Sequence, residues 1–437
     1  MKNKNLTNFI KDSIVYLLQI QMYSIKIHEM RNFFMKKVSL IARIFICLII
    51  GVFLGIICKN LDIVFPIRIL ATLSGLFGNF LSFIIPLIII GFIVPGIASL
   101  GGKSGKGLLI TTIIAYISTI IAGFLAWASG QTLLPKLIKE NILLSNGGQA
   151  IEPYFSVDMP PIMGVMSALV LAFLLGIGLS KIKNSTLLKS MEDFSSVVLM
   201  VVTKVLIPLV PIYIGCVFAK LSFSGEIFNT LKSFGIVYLI LFSLQIIYLL
   251  IQYSIAGIIK KKNPIALIKN MMPAYLTAVG TQSSAATIPV TLACTKDNDV
   301  QDKVADFVIP LCATIHLAGD TITLVLTSMA VMYMNGNIPT FSMMMPFIFM
   351  LGITMIAAPG VPGGGVMSAL GLLESMFGFG GIEKPIMIAL HAAQDSFGTA
   401  TNITGDGAIA IIIEYIINRK SNSKTEETEY DDITEAV

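Results

Sequence analysis

The sequence predicts an all-α membrane protein of eight transmembrane helices and two re-entrant helical hairpins, built with inverted repeats. Three observations carry that reading. Of 437 residues, 55% are hydrophobic and only 13% charged, with a mean hydropathy of +0.85, against roughly 25% charged residues in an ordinary soluble domain. The apolar residues come in runs near or beyond the about 20 that carry a helix across roughly 30 Å of hydrocarbon. From residue 265 onward, the runs are interrupted at matching positions by small polar or Gly/Pro clusters.

Residues 1–35 are less hydrophobic and mixed in charge, so they read as a poorly ordered N-terminal extension. Either the start lies upstream of a natural Met35-Lys36-Lys37 beginning, or Phe9 to Met22 forms an amphipathic helix on the membrane surface. No cleavable signal is expected, because no short apolar region is followed by small residues.

Six uninterrupted spans follow, near 38–58, 69–98, 107–129, 160–180, 193–219 and 232–258. With a cytoplasmic N-terminus, one set of loops holds Lys36, Lys37, Arg43, Lys103, Lys106, Lys181, Lys183, Lys189 and Lys260 to Lys262. The opposite loops hold Lys136, Lys139, Lys220 and Lys232, with Lys59 and Arg68 in the first turn. Basic residues collect in cytoplasmic loops, so this bias supports a cytoplasmic N-terminus, with the inner membrane as the expected location, and accounts for the net charge of +5 without an acidic partner. No basic stripe interleaves with aromatics, which leaves nucleic acid out as a partner. Lys204 stands inside the fifth span, close enough to its start for a long stem to reach the interface.

The first interruption is Thr281-Gln282-Ser283-Ser284-Ala285-Ala286-Thr287-Ile288-Pro289, between apolar arms too short for two full spans. A re-entrant hairpin with a Ser-rich tip is the expectation, since broken backbone at that depth must line a cavity or be buried in protein. The second, Ala357-Ala358-Pro359-Gly360-Val361-Pro362-Gly363-Gly364-Gly365, predicts another hairpin with arms at 343–356 and 366–378. Each hairpin precedes a span with ionisable residues, at 304–333 and 384–417; a hairpin-plus-helix unit used twice is a device of inverted-repeat transporters. The Gly-rich run is no nucleotide loop, because no Gly-Lys-Ser/Thr follows it.

In the last span His391, Asp395, Asn402 and Asp406 are separated by 4, 7 and 4 residues. At about 100° per residue they share a sector of roughly 60°. Ionised groups at mid-membrane cost about 2.5–3.5 kcal/mol each on insertion scales, so such a stripe must face a hydrated, occupied interior. The preceding span offers Thr314, His316 and Asp320 around Gly319, where local unwinding would present carbonyl oxygens to a small hard cation. The two histidines have no third His or Cys at ligand spacing, which disfavours a transition metal and leaves them protonatable, hydrogen-bonding or simply packed. The five cysteines are scattered and suit neither disulfides nor zinc. An intramembrane hydrolase would need Ser283 or Ser284 beside His316 or His391, and nothing in the sequence fixes that dyad; a channel is separable from a carrier by counterflow. No enzyme is therefore expected. After Asn418 an acidic Ser/Thr-rich tail, 419–437, reads as a disordered cytoplasmic end.

Together the Ser-rich hairpin, the Pro/Gly-rich hairpin and Asn402-Ile403-Thr404-Gly405-Asp406 resemble the dicarboxylate/amino acid:cation symporter family, which includes the glutamate transporters. The motifs are specific over 265–410; over 38–260 the likeness rests on the number and spacing of spans. The resemblance implies a homotrimer in which a transport domain slides in an elevator motion against a scaffold. Scaffold segments are then 36–106 and 131–222, and transport segments are 107–130 and 223–418. It implies substrate binding by Ser283, Ser284, Thr314, Val361, Pro362, Gly363, Asp395, Gly398, Thr399 and Asn402, with Asp395 on the α-ammonium and Asn402 and the serines around the α-carboxylate. It implies cation sites from Asn402, Asp406 and His316, and from Thr314 with carbonyls near Ile356 and Ala358. No cofactor is implied beyond a coupling ion, sodium with protons as an addition.

Three departures shape the expected substrate. Where acidic-substrate members carry an arginine, this chain has Gln282 and Gly398, and Gly398 leaves room and no charge. A small neutral amino acid is therefore expected rather than a dicarboxylate or acidic amino acid, and Gln394-Asp395-Ser396 also resembles the serine/threonine branch. The family's Asn-Met-Asp-Gly motif is here His316-Leu317-Ala318-Gly319, and a frequently acidic position is His391. Asp320, about 200° round a regular helix from Ala318, replaces the lost carboxylate only if the helix is unwound there. Fewer coupled sodium ions, with proton involvement through His316 and His391, follow as the expectation.

Overall fold

The computed structural model describes residues 40–101, 106–137, 151–182, 184–225 and 227–434. The expectations for residues 1–35 fall outside them. Among the described residues every regular element is helical. Helices α1 (Leu40–Asn60), α2 (Phe65–Gly101), α3 (Lys106–Leu137) and α4 (Val165–Ser180) open the chain. A single π turn, Val202–Leu206, joins α5 (Thr186–Val201) to α6 (Ile207–Ser224), and α7 (Ile227–Lys260) and the short α8 (Pro264–Asn270) follow. Lys204 lies in that π turn with an exposed side chain. This is the placement a snorkelling lysine requires.

The two hairpins form where the interruptions place them. The first pairs α9 (Met272–Thr281) with α10 (Ser284–Lys296), and the second pairs α13 (Phe341–Ile356) with α14 (Gly364–Phe377). Each breaks for a local reason. Gln282 closes α9 in the left-handed conformation (φ 54°), and the Ser283 hydroxyl then caps α10 by accepting from Ala286 N–H at 3.3 Å. In the second, Pro359 and Pro362 exclude continuous helix, and Gly363 begins α14 at φ +75°, a conformation with no steric cost for glycine.

The span predicted over 304–333 is broken in two, α11 (Asp302–Ile315) and α12 (Ala318–Met334). The break falls at His316-Leu317, so Gly319 sits inside the first turn of α12 rather than at the unwound point. Gly319 serves another purpose. A Cβ there would stand 2.4 Å from the Gly398 carbonyl oxygen and 2.9 Å from Thr401 Cβ, so its hydrogen lets α12 press against α15 (Glu383–Thr434).

Among the described residues, seven helical stretches suffice by length and composition to cross a membrane, counting α5 with α6 and α11 with α12 as single spans. Eight were expected, and α4 is the short one: its 16 residues reach about 24 Å. The segment 151–164 that leads into it carries Pro153, Pro160 and Pro161 and does not extend the helix. At the other end α15 continues to Thr434, where composition predicts a disordered tail; no Gly or Pro follows Gly407 to stop the helix.

Contacts fall into two groups. α1 packs on α6, and α2 on α4, α5 and α6; α12 packs on α3 and α15, while α15 also meets α7, α9, α10 and α11. Where the groups meet, Lys384 bonds Ser82 at 3.0 Å and Glu374 at 2.8 Å, beside a cavity of about 290 Å³ that Tyr213 and Lys220 also line.

Candidate functional site: two hairpin tips over a buried polar helix

The polar stripe of α15 faces the α11–α12 break and the second hairpin. His391, Asp395, Asn402 and Asp406 are all buried, at 0–6% exposure. Each carries a hydrogen bond to another element, and together these bonds define the site.

Asp395 accepts from the Gly363 backbone N–H at 2.8 Å. That donor belongs to the N-terminal end of α14, where unpaired N–H groups and the helix dipole favour a carboxylate. The two tips also touch each other, Ser283 donating from its hydroxyl to the Gly360 carbonyl at 3.2 Å. Gln282 Nε2 donates to Ser396 Oγ at 3.1 Å, tying the first tip to α15. Ser284, Thr399 and Gly398 are buried around this junction, while Val361 and Pro362 are half-buried on the second tip. The space beside Gly398 is not open, as its lack of a side chain led one to expect. A Cβ there would lie 3.1 Å from Gln394 Oε1, because Gln245 Nε2, at 3.0 Å from that oxygen, holds the Gln394 amide across the position.

Asn402 and Asp406 do not share a ligand in this conformation. Asn402 accepts from Gly319 N–H at 2.7 Å and donates to Asp320 Oδ2 at 2.8 Å. Asp406 Oδ1 instead accepts from His316 Nδ1 at 2.8 Å. Its other oxygen, Oδ2, is buried with no hydrogen-bond partner among the described residues. An orphaned carboxylate oxygen at 0% exposure is costly to leave unpaired, and as a hard oxygen donor it fits a small cation. Thr314, assigned to both substrate and cation, is exposed and donates to its own helix at Leu311 O, 2.8 Å away. Ile356 and Ala358 stand at the frayed end of α13, where the chain turns toward the tip.

Asp320 stays in regular helix, so it does not reach the place of the missing carboxylate. It turns to α15, accepting from His391 Nε2 at 2.8 Å as well as from Asn402. Asp320, His391 and Asp395 offer ligand atoms all within 4.8 Å of one another. A second network lay unread in the sequence. His316 Nε2 is 3.0 Å from Ser118 Oγ, which also meets Tyr248 OH at 2.7 Å and Gln252 Nε2 at 3.1 Å. Gln245 and Gln252, seven apart on apolar α7 and both buried, are the signal that would have found that helix's inner face.

The chain matches a family model described as the sodium:dicarboxylate symporter family over residues 40–416. It is similar to an excitatory amino acid transporter of Caenorhabditis elegans, 25% identical over 289 residues, 64% of this chain and 57% of that protein. It is also similar to excitatory amino acid transporter 1 of Homo sapiens, 31% identical over 160 residues, 36% of this chain and 29% of the relative. The corresponding protein of Ambystoma tigrinum is 30% identical over 166 residues, 38% of this chain and 30% of its own length. The matches thus span between under a third and somewhat over half of these relatives.

Proposed function

Because the chain belongs to the sodium:dicarboxylate symporter family, we propose that it is a secondary active symporter that couples inward cation movement to uptake of a small neutral amino acid. The observation that carries this is the meeting of Asp395 with the second hairpin tip, while the first tip rests on the same turn. A buried carboxylate that meets one hairpin tip, with the other tip resting on it, is suited to holding an ammonium group and enclosing it. No arginine or lysine stands at Gln282 or Gly398 to neutralise a second substrate carboxylate, which favours a neutral amino acid over a dicarboxylate or acidic one.

The grouping of contacts supports a scaffold of α1, α2, α4, α5 and α6 and a transport unit of α3 and α7–α15, moving as an elevator within a homotrimer in the inner membrane, both termini cytoplasmic. For the coupling ion a second reading rests on one contact. His316 fills one side of Asp406, so the protein itself supplies part of what an ion would, and fewer sodium ions accompany each substrate. Purified protein in proteoliposomes tests both. Saturable, counterflow-competent uptake of serine, threonine or alanine under an inward sodium gradient is expected. Strong aspartate uptake with none of these overturns the substrate; three sodium ions per substrate with no pH dependence overturns the coupling.

A further inference from the structure

We propose that Ser118 of α3, with Tyr248 and Gln252 of α7, forms a socket that fixes the His316 ring on Asp406 and thereby sets the protein's sodium dependence. This rests on the symporter reading above and gives its coupling-ion step three positioning residues.

The socket starts from helix geometry. Tyr248 and Gln252 stand four apart on α7 and so share one face, and both are buried, at 2% and 6% exposure. They meet Ser118 where α7 packs on α3. A third arm comes from the α11–α12 break, where His316 leaves the helix in extended backbone (φ −110°, ψ 94°) and its buried ring reaches the same hydroxyl. At α15 the chain is bare beside that ring. A Cβ on Gly405 would stand 2.7 Å from Gln252 Oε1 and 2.9 Å from His316 Cε1.

Counting hydrogens fixes the directions. A hydroxyl donates once and accepts twice. Tyr248 gives its hydrogen to the Ser118 carbonyl oxygen at 2.6 Å, so the 2.7 Å contact between the two hydroxyls runs from Ser118 to Tyr248. Ser118 then has only lone pairs for its other two neighbours. Gln252 Nε2 donates into one at 3.1 Å, and His316 Nε2 donates into the other at 3.0 Å. His316 therefore carries a hydrogen on Nε2, and its ring cannot turn over without losing that bond.

Fixing Nε2 fixes what faces Asp406. The other ring nitrogen, Nδ1, lies 2.8 Å from Asp406 Oδ1. Two bare lone pairs do not approach so closely, so a hydrogen lies between them. It stands on the carboxylate where a small cation would otherwise sit, while Oδ2 has no hydrogen-bond partner among the described residues. Loosening the socket returns Oδ1 to the ion-binding side, and transport then needs more sodium.

Sodium titrations of serine uptake in proteoliposomes test this, beside thermal-shift titrations of the purified protein with sodium chloride against choline chloride. Ser118→Ala is expected to lower uptake at a fixed low sodium concentration about fivefold, in line with one uncharged hydrogen bond. High sodium should restore it, along a steeper curve than wild type. Ser118→Thr keeps the hydroxyl and is expected to stay within about twofold of wild type. Tyr248→Phe leaves Ser118 in place but releases its hydrogen, and is expected to shift the sodium curve the same way by about threefold. Added to His316→Gln, Ser118→Ala is expected to contribute less than about twofold, because residues acting through one network are not additive. Uptake lowered by one factor at every sodium concentration, without rescue by threonine, makes Ser118 a packing residue and overturns the socket. Full additivity with His316→Gln overturns it too. Should Ser118→Ala not fold, Tyr248→Phe decides, and a sodium curve equal to wild type overturns the proposal while leaving a symporter. Wild-type uptake indifferent to sodium removes the coupling reading and the socket together.

Discussion

Two kinds of membrane helix coexist in this chain, and they differ in what surrounds them. In α1 and α3, 22% and 33% of the crossing window is buried, whereas in α11–α12 and in α15 the figures are 83% and 78%. The first kind is mostly apolar, and α1 turns Phe45, Ile49, Ile50 and Phe53 outward. The second carries three of the site's acids, Asp320, Asp395 and Asp406, and both its histidines, each within hydrogen-bonding distance of a protein atom. Depth alone does not decide where charge is tolerated. Enclosure by other helices does, because protein supplies the partners that hydrocarbon lacks.

The sharpest way to break that comparison is to neutralise one polar residue in each region. Asp395→Asn keeps an oxygen for Gly363 N–H and so should fold, with unchanged elution on size-exclusion chromatography. Its serine uptake is expected to fall at least about 100-fold, since truncating one partner of a buried charge pair costs several kcal/mol. Lys204→Ala, in the exposed π turn of the other region, is expected to leave uptake within about twofold. Equal losses in the two variants would dissolve the distinction.

Next in size are the glycine seams, which both regions use. Gly51 of α1 lies on α6 so closely that a Cβ would stand 2.2 Å from the Gly215 carbonyl oxygen, as Gly319 lies on Gly398. Close backbone approach through small residues is the general way helices associate in lipid. Gly51→Ala and Gly319→Ala are each expected to lower stability by about 1–3 kcal/mol, read as thermal shift in detergent. Only Gly319→Ala should also weaken substrate affinity, because it displaces Gly398 and Thr401 beside the pocket. An affinity loss in Gly51→Ala would mean that the two regions are not separable.

Much of this was legible in the residues themselves. Long apolar runs set α1–α3 and α5–α7, and the period of 4, 7 and 4 put the α15 stripe on one face, because hydrophobicity and helix geometry act locally. Both hairpin tips were legible for the same reason: Gln282-Ser283 and Pro359 to Gly365 break helix wherever they occur. What could not be read was pairing. That Asp406 would take His316 while Asn402 took Asp320 depends on the α11 end stopping at Ile315, three residues short of Ala318. The role of Gly398 failed similarly: the sequence shows a missing side chain, but a neighbouring Gln394 held by α7 occupies the gap.

A smaller effect sharpens the comparison within the buried region. His316→Gln retains hydrogen-bonding capacity but withdraws the imidazole from Asp406. Uptake at a fixed low sodium concentration is expected to drop about tenfold, the value of one hydrogen bond to a charged group. High sodium should restore it, with a steeper sodium dependence than wild type. An unchanged sodium curve would show that the imidazole does not share the work of an ion.

The least effect is expected where charge is fully solvated, at the loops flanking the first hairpin. Lys262 bonds Asp299 there, and Lys296 lies 2.9 Å from Asp306 and 3.3 Å from Asp302. The Lys262 ammonium holds the Asp299 carboxyl below its usual range, and Asp306 raises Lys296. The signs confine both effects to extremes. A carboxyl with a lowered folded pKa gives stability above its unfolded value, about 3.9, and loses it as pH falls further. A raised lysine gives stability below about 10.4 and loses it as pH rises beyond that. Between pH 6 and 8 neither titrates. Lys262→Ala is therefore expected to shift the melting temperature by less than about 2 °C, identically at pH 6 and pH 8, with uptake unchanged. A larger shift, or one that differs between those two pH values, would place an enclosed, functional charge in this loop and contradict the rule that enclosure decides which charges matter.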